Sequence, residues 1–538
     1  MYQNVNNFTS AVRLCLKALL FLFTATFLQT AAFAQHTVSG TVFDDLNGNG
    51  QLDAGEEGVE GVMVSNGREI TVTDRNGNYQ LDTEDNSYIF VIKPRGWATP
   101  VGEHNIPQFY TLISSEGAGA DNFRGLNPGM PEDLNSVNFP LSPQEEPDDF
   151  RVLVFGDTQP RNLEELNYLM NDTVQEVIGF DAAFGTTLGD LVFDDLDLFE
   201  PLNELIGNIG LPWRHIIGNH DIDFSADNNW DARGAYFRNY GPSYYAFSWG
   251  SAHFIAVDNI RWIVKEDERY YRLGYGEQQM EFITNYLDQI GEDELVFFLS
   301  HIPLVESTAW EDDAERVQFY ELLSRYPNAV TFSAHTHRHY HRYITAEDGW
   351  PGGESEYHHS ISMGTVNGSW WAGYPDAYGI PHSLMRDGTP IGYGLLDING
   401  KDWKLTYKVS RRLADFQMHI HAENEVPVDR LRNTEVYANV FNALPGAKVE
   451  FRIGKSGEWK VMEVATERDP LYMAMHDREL ALGGDAPFRQ SGMGNPDPKH
   501  LWKATISEDL EPGTYTIYVR AEDEWANFEG RRMIRITE

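Results

Sequence analysis

Cysteine is all but absent. The single one among 538 residues is Cys15, so no intramolecular disulfide can brace the chain. Positive charge is scarce as well: 41 Lys and Arg stand against 82 Asp and Glu, a formal net charge of −41. A field of that sign repels nucleic acid and anionic membrane, and no nucleic-acid partner is expected. An apolar stretch from Ala18 to Leu28 falls short of the roughly 20 residues that a bilayer-spanning helix needs. It follows Arg13 and Lys17 and runs into Ala32-Phe33-Ala34 before Gln35, the layout of a cleavable secretory signal over residues 1–34. Export to the periplasm or the cell exterior is expected, with no transmembrane span after processing. Cys15 lies ahead of the apolar run rather than behind it, which argues against lipid attachment. No repeat with a 20–50-residue period is visible.

What the chain does have is apolar material for large cores. Hydrophobic residues make up 41% and aromatics 13%, with 13 Trp, so the acid belongs to a folded surface. The length suggests three or four domains. Over 35–142 short alternating runs such as Thr37–Phe43 and Asn78–Leu81 are broken by turns such as Asn76-Gly77, the pattern of a small β-sandwich. The stretch Leu141–Asp149, rich in proline and acid, reads as a linker. From 150 to 410 apolar strands such as Val152–Phe155 and Leu295–Leu299 alternate with helical stretches near 162–178, 199–209, 277–290 and 314–324. Alternation of period 2 returns over 411–538. The fold class is therefore α/β: a layered α/β sandwich core flanked by two small all-β modules.

The sharpest short motif of the first module runs from Asp45 to Glu56. Asp45, Asn47, Asn49, Asp53 and Glu56 stand at positions 1, 3, 5, 9 and 12, Gly50 at 6, and Gln51 offers its backbone carbonyl at 7. Oxygen donors at that spacing suit calcium. With strand-like flanks, the loop resembles those of repeat-type adhesin B domains and its role would be structural.

In the α/β region five polar clusters follow buried strands, where open sheets place ligands. They are Gly156-Asp157-Thr158-Gln159, Gly189-Asp190, Gly218-Asn219-His220-Asp221, Ser300-His301 and Ala334-His335-Thr336-His337. Singly each is weak; their order is the signal. D-x-Q, G-D, G-N-H-D, H and A-H-x-H in that sequence resemble the calcineurin-like metallophosphoesterase family, over about 260 residues. Tyr236-Phe237, Gly241–Phe247, His253–Asp258 and Glu277-Gln278-Gln279 are similar to that family's framework. The flanking modules, with Gly368–Trp371 and Met385–Gly388, are similar to an exported multidomain branch.

The resemblance implies that Asp157, Asp190 and His337 hold one divalent metal, with Gln159 where most relatives have His. Asn219, His301 and His335 would hold a second, bridged by Asp190. Two cations so placed acidify a bridging water for in-line attack on phosphorus and clamp the developing charge. His220 would protonate the leaving oxygen, with Asp221 orienting it. An amide oxygen at Gln159 favours a harder ion, so Mn leads over Fe, Zn or Mg. Ala334 for the usual Gly adds one methyl to a tight turn.

Trp370, Trp371 and Arg386 suggest an aromatic wall and a guanidinium for a phosphorylated ring, with the alternative that the tryptophans cap the core. Asp194 follows Gly189-Asp190 closely enough to face the cleft. His339, His341, His358, His359 and His382 show no ligand spacing and read as structural or surface residues. The leading function is an exported dinuclear phosphoesterase acting on a phosphorylated small molecule or a glycan-linked phosphate, monoester or diester. The alternative is a calcium-braced surface or carbohydrate-binding protein with a catalytically weak phosphoesterase-like domain.

Overall fold

The computed structural model describes residues 35–538 apart from 116, 119–129, 267, 306–307, 484–491, 493, 495–497 and 508. The expected signal segment 1–34, with Cys15, lies outside the described residues. Among the described residues no helix is long and apolar enough to cross a membrane.

The first module pairs two four-stranded sheets. Strand β1 (Gln35–Asp44) lies antiparallel to Asn78–Glu84 and parallel to Phe139–Pro143. Asn78–Glu84 alternates exposed and buried residues, with Tyr79 and Leu81 turned inward, as expected of a strand with one wet face. Ser87–Val91 is instead buried along its whole length. The α/β region covers its second face: Tyr88 packs on Trp230 and Phe237 at 6.0 and 5.4 Å between ring centres, and Phe90 on Phe282 at 5.6 Å.

That docking corrects the linker expected over 141–149. Leu141 is buried in a strand, Asp149 opens the next one, and between them Glu146 is buried against Lys93. The Lys93 ammonium also donates to Ser248 O at 2.8 Å and lies over the Trp249 ring, while the Glu146 carboxylate accepts from Gly96 N and Gly250 N, each at 3.1 Å. Proline and acid resemble linker composition, but a charge beside its partner can be taken into a core.

The α/β region stacks a five-stranded and a six-stranded sheet. The first runs Trp213–Ile216, Phe184–Leu188, Asp149–Phe155, Gly392–Asn399, Asp402–Val409; the first three strands are parallel. The second is built on parallel Ala252–Ala256, Leu295–Leu299, Ala329–Ser333 and His358–Ser362. These strands are apolar because both faces are covered; between the sheets Phe184 meets Phe247 and Phe254 at 5.3 and 5.1 Å. Helices Leu163–Leu169, Phe199–Gly207, Glu277–Leu287 and Asp313–Leu323 answer to the four expected stretches. Asn162 and Asp312 begin the first and last by accepting from Glu165 N and Ala314 N. The first continues into a π turn over Met170–Val174.

The last part forms a four- and a five-stranded sheet about a separate core containing Val436, Phe451, Trp502 and Val519. Alternation did not announce its helix Pro470–Leu482, which starts with Asp469 as cap and Pro470 in the first turn.

Glu146→Gln would leave the Lys93 charge buried without its counter-ion. Stability to urea is expected to fall by about 3–5 kcal/mol, and Lys93→Met in the same chain to restore most of it. A loss under about 1 kcal/mol would show that the pair does not fasten the module.

Candidate metal centre

Six strand ends from both sheets meet at one place. Asp157, Asp190 and Asn219 leave Asp149–Phe155, Phe184–Leu188 and Trp213–Ile216 of one sheet. His301, His335 with His337, and the loop 363–371 leave Leu295–Leu299, Ala329–Ser333 and His358–Ser362 of the other. The approach is close enough that two glycines are obligatory: a Cβ on Gly218 would sit 2.0 Å from Asp190 N, and one on Gly189, at φ +85°, 2.6 Å from His301 Nδ1. Among the described residues, twelve that are not glycine have positive φ, and seven lie here: Gln159, Asp190, Asp194, His335, His337, Trp370 and Trp371. Strain of this kind persists only where surrounding structure over-determines it.

The side chains of Asp190, His301 and His335 offer ligand atoms within 4.8 Å of one another. His301 Nδ1 donates to Leu188 O at 2.8 Å, which turns Nε2 inward to 3.1 Å from each of Asn219 Oδ1, Asp190 Oδ2 and His335 Nδ1. One nitrogen cannot satisfy three such neighbours with a single proton. Beside them His337 Nδ1 donates to Gly368 O, and its Nε2 faces Asp157 Oδ2 at 3.2 Å. That carboxylate oxygen is buried with no hydrogen-bond donor, while Asp157 Oδ1 accepts from His335 N at 3.0 Å. Imidazole lone pairs and carboxylates converging in a dry space fit divalent cations. Burial pulls His301 toward neutrality, but Asp190 outweighs it and lifts its pKa to about 9; Asp190 is held low by the same pairing against its own burial. Burial and then the His301 charge press His335 down to about 4.

Three expected roles are corrected. The Gln159 oxygen accepts the Trp370 indole N–H, a group that can only donate, and the Gln159 amide nitrogen donates to Asp190 Oδ2 at 3.0 Å. The amide thus presents a donor where a metal-ligating oxygen was expected. Asp221 does not orient His220: fully buried, it accepts from Leu191 N at 2.8 Å and Gly218 N at 2.7 Å, tying two ligand loops together. Its neighbour in that job is Asp194, whose Oδ1 lies 2.6 Å from His220 Nδ1. Trp371 is no substrate wall; 2% exposed, it donates to buried Asp172 at 3.2 Å. Trp370 and Arg386 do meet, the guanidinium 5.2 Å above the indole, which also packs on His337 at 4.1 Å.

Three family profiles match in chain order: N terminal of Calcineurin-like phosphoesterase over 46–127, Calcineurin-like phosphoesterase over 150–339, and C terminal of Calcineurin-like phosphoesterase over 360–528. The chain belongs to the calcineurin-like phosphoesterase family. No curated protein matches it. Membership carries metal-dependent hydrolysis of phosphoric esters with it, and divalent metal binding.

In this calcineurin-like phosphoesterase the C-terminal part is built into the metal centre's support. Asp387, behind Arg386, accepts from His339 N at 2.9 Å and so holds the turn after His337. Buried His500 and Asn439 grip Asp387 in turn: His500 Nε2 lies 3.1 Å from its carboxylate, and Asn439 donates to its backbone at 2.8 Å. His339 and His341 both meet Asn442 Oδ1, at 2.8 and 3.0 Å, and His382 meets buried Glu479. None of these signals could be read locally, since the partners stand between 48 and 113 residues apart.

In the first module Asp45, Asn47, Asn49, Gln51, Asp53 and Glu56 form one tight turn, exposed except at Asp45, which is buried, and Glu56, which is half-buried. Asp45 accepts from Gly48 N and Gly50 N at 2.7 and 2.8 Å, Asp53 from the Asn47 and Asn49 amides at 2.9 and 2.8 Å, and Glu56 from Asp53 N at 2.9 Å. Gln51 N donates to Asn49 Oδ1.

Burial pushes His215 and His358 down to about 3 and His341 to about 4. The unfolded chain takes up these protons near pH 6.5, the folded chain far lower. Their contribution is complete above pH 6.5 and is lost as pH falls below it, by up to about 1.4 kcal/mol per pH unit for each. Urea unfolding at pH 7.5 and 5.5 should show a clear loss; equal midpoints would mean these sites protonate in the folded state.

Proposed function

We propose that this phosphoesterase is exported and hydrolyses a phosphomonoester or phosphodiester at two divalent cations. What supports the reading is that Asp190, His301 and His335 offer ligand atoms within 4.8 Å of one another, with Asn219 Oδ1 3.1 Å from His301 Nε2 and, beside them, His337 Nε2 facing Asp157 Oδ2 at 3.2 Å. Asp157 and His337 would hold one cation, Asn219, His301 and His335 the second, and Asp190 both. Manganese is the favoured metal, because carboxylate and amide oxygens weigh as much as imidazole in this set. When bound, the pair would supply an activated water and charge to offset that on phosphorus.

The chain's own side chains do the rest. His220 Nδ1 is held by Asp194, so Nε2 carries the proton that passes to the departing oxygen. Gln159, fixed by Trp370, keeps a donor against Asp190. Arg386 above Trp370 suits a non-reacting phosphoryl oxygen, and the ring beneath it a planar substituent. Residues 1–34 supply the argument for export, and the substrate is a phosphorylated small molecule or a glycan-linked phosphate. The loop Asp45–Glu56 is read as a calcium site that stiffens the first module.

Asp190→Asn should lose bound metal and turnover together, measured by elemental analysis and hydrolysis of p-nitrophenyl phosphate and bis-p-nitrophenyl phosphate. His220→Ala should keep its metal and lose about 10²–10⁴-fold in kcat, most with poor leaving groups; Asp194→Asn should lose part of that. Full activity in Asp190→Asn, or after complete chelation, would refute the metal reading. Separately, Ca²⁺ should raise the melting temperature of the wild-type chain and not of Asp45→Ala, through ligand linkage. Equal shifts in both would place the ion elsewhere.

A further inference from the structure

If His220 gives its proton to the departing oxygen, the leaving alcohol must lie against whatever borders that imidazole. One face is stacked on Phe193, with ring centres 4.6 Å apart and planes within 23°. Phe224 approaches edge-on at 6.2 Å and is backed by buried Trp262 at 5.5 Å, whose indole N–H is spent on Ala226 O. From Phe193 the row continues to Trp370 at 6.3 Å. Five rings, Trp262, Phe224, His220, Phe193 and Trp370, thus form one continuous rim beside the metal ligands. Phe224 is 37% exposed, in a loop whose other exposed members Ser225, Asp227 and Asn228 are polar. Beyond its edge contacts with His220 and Trp262, more than a third of this large apolar ring faces water.

Charge along the rim is uneven. Arg386 stands over Trp370, at the far end from Phe224. Among the described residues no Lys or Arg lies over Phe193, His220, Phe224 or Trp262. The charged groups at that end are Asp194, on His220, Asp223, beside Phe224, and Asp227, which is paired with Arg269. A leaving group bearing phosphate or carboxylate would meet Asp194 and Asp223, and the cation there, Arg269, is already paired, in a chain whose net charge is −41.

We infer that the ester's leaving alcohol is bulky, apolar and uncharged, and that Phe193 and Phe224 determine this specificity. The inference rests on the phosphoesterase reading above and deepens it by naming the alcohol. With the phosphoryl group held at the cations that Asp157, Asp190, Asn219, His301, His335 and His337 would bind, and its other substituents toward Trp370 and Arg386, a water oxygen would bond to phosphorus as the P–O bond to the alcohol breaks, and the alcohol would leave along Phe193 and Phe224 with the His220 proton on its oxygen.

The test uses the mature chain loaded with Mn²⁺ and three aryl phosphates, phenyl, 2-naphthyl and 4-carboxyphenyl, as monoesters and as methyl diesters. kcat/KM for the naphthyl ester is expected to exceed that for phenyl by about tenfold or more, the scale on which apolar pockets discriminate by size, chiefly through KM. The carboxylated ester should fall below phenyl although its alcohol is no poorer a leaving group. Phe224→Ala should bring naphthyl down toward phenyl, Phe224→Leu should retain most of the difference, and Tyr378→Ala, an exposed ring paired with Arg411, should leave the ranking unchanged. Calorimetric binding of 2-naphthylphosphonate against phenylphosphonate should give the same order without turnover. Naphthyl and phenyl esters within twofold of each other, or a preference for the carboxylated ester, would overturn the inference while leaving the phosphoesterase reading intact. No hydrolysis of any of these esters by metal-loaded chain would remove both.

Discussion

The centre of this molecule is governed by mutual repulsion. Two carboxylates, an amide oxygen and three imidazoles crowd together where water is nearly excluded, and the charge Asp190 induces on His301 offsets only part of what so many acceptors require. The partners that fix the ring nitrogens are all backbone carbonyls or polar side chains outside the cluster: Leu188 O for His301, Gly368 O for His337, Thr308 for His335 at 3.4 Å. Each turns the other ring nitrogen inward. The strained backbone at Gln159, Asp190, His335 and His337 is the other face of the same constraint, because loops that deliver acceptors to one point from two sheets cannot all take relaxed conformations. The aromatic layer between the sheets keeps those strand ends from drifting apart.

How much of this was legible depended on the distance between partners. Strands such as Leu295–Leu299 and the polar residues after them announce themselves locally, since continuous apolar runs and the turns that end them are short-range patterns. Their convergence could be read only through the order of five weak motifs. Pairings between such motifs were not legible. His220 takes its carboxylate from Asp194, 26 residues back, whereas adjacent Asp221 points the other way, because successive residues of a 3₁₀ turn diverge. Trp370 and Trp371, neighbours in the chain, part company for the same kind of reason: one joins Gln159 at the cleft, the other Asp172 in the core. Helix Pro470–Leu482 escaped because its apolar residues do not collect on one face, so neither period stands out.

Gln159 shows why a family resemblance transfers positions more safely than chemistry. The residue occupies the expected place beside Asp157, yet an indole donor 211 residues away decides which end of the amide faces Asp190. Orientation at that position is therefore a property of the loop after His358–Ser362, which the five motifs do not include. A histidine in place of Gln159 would have to displace or re-aim Trp370, and with it the ring on which Arg386 rests.

The body of the chain contains no cysteine, and that absence shapes how its parts are joined. A disulfide would fix two modules at a point without asking anything of the surface around it. Here the first module instead shares one continuous apolar core with the α/β layers and adds the buried Lys93–Glu146 pair. The last module keeps a core of its own and meets the α/β region through apolar contacts of Phe441 and Trp525 with the larger core and through His500–Asp387, Asn442 and Glu479. Buried polar pairs add little to stability beyond what apolar packing would give, but they penalise every register in which a partner is missing. For a module whose Asp387 contact also holds the turn after His337, register matters more than strength: a shift of one residue would leave charges unpaired and move a candidate ligand together. The C-terminal module is thus part of what holds the candidate site's geometry, because its His500 grips Asp387, which accepts from the backbone of His339 just after His337.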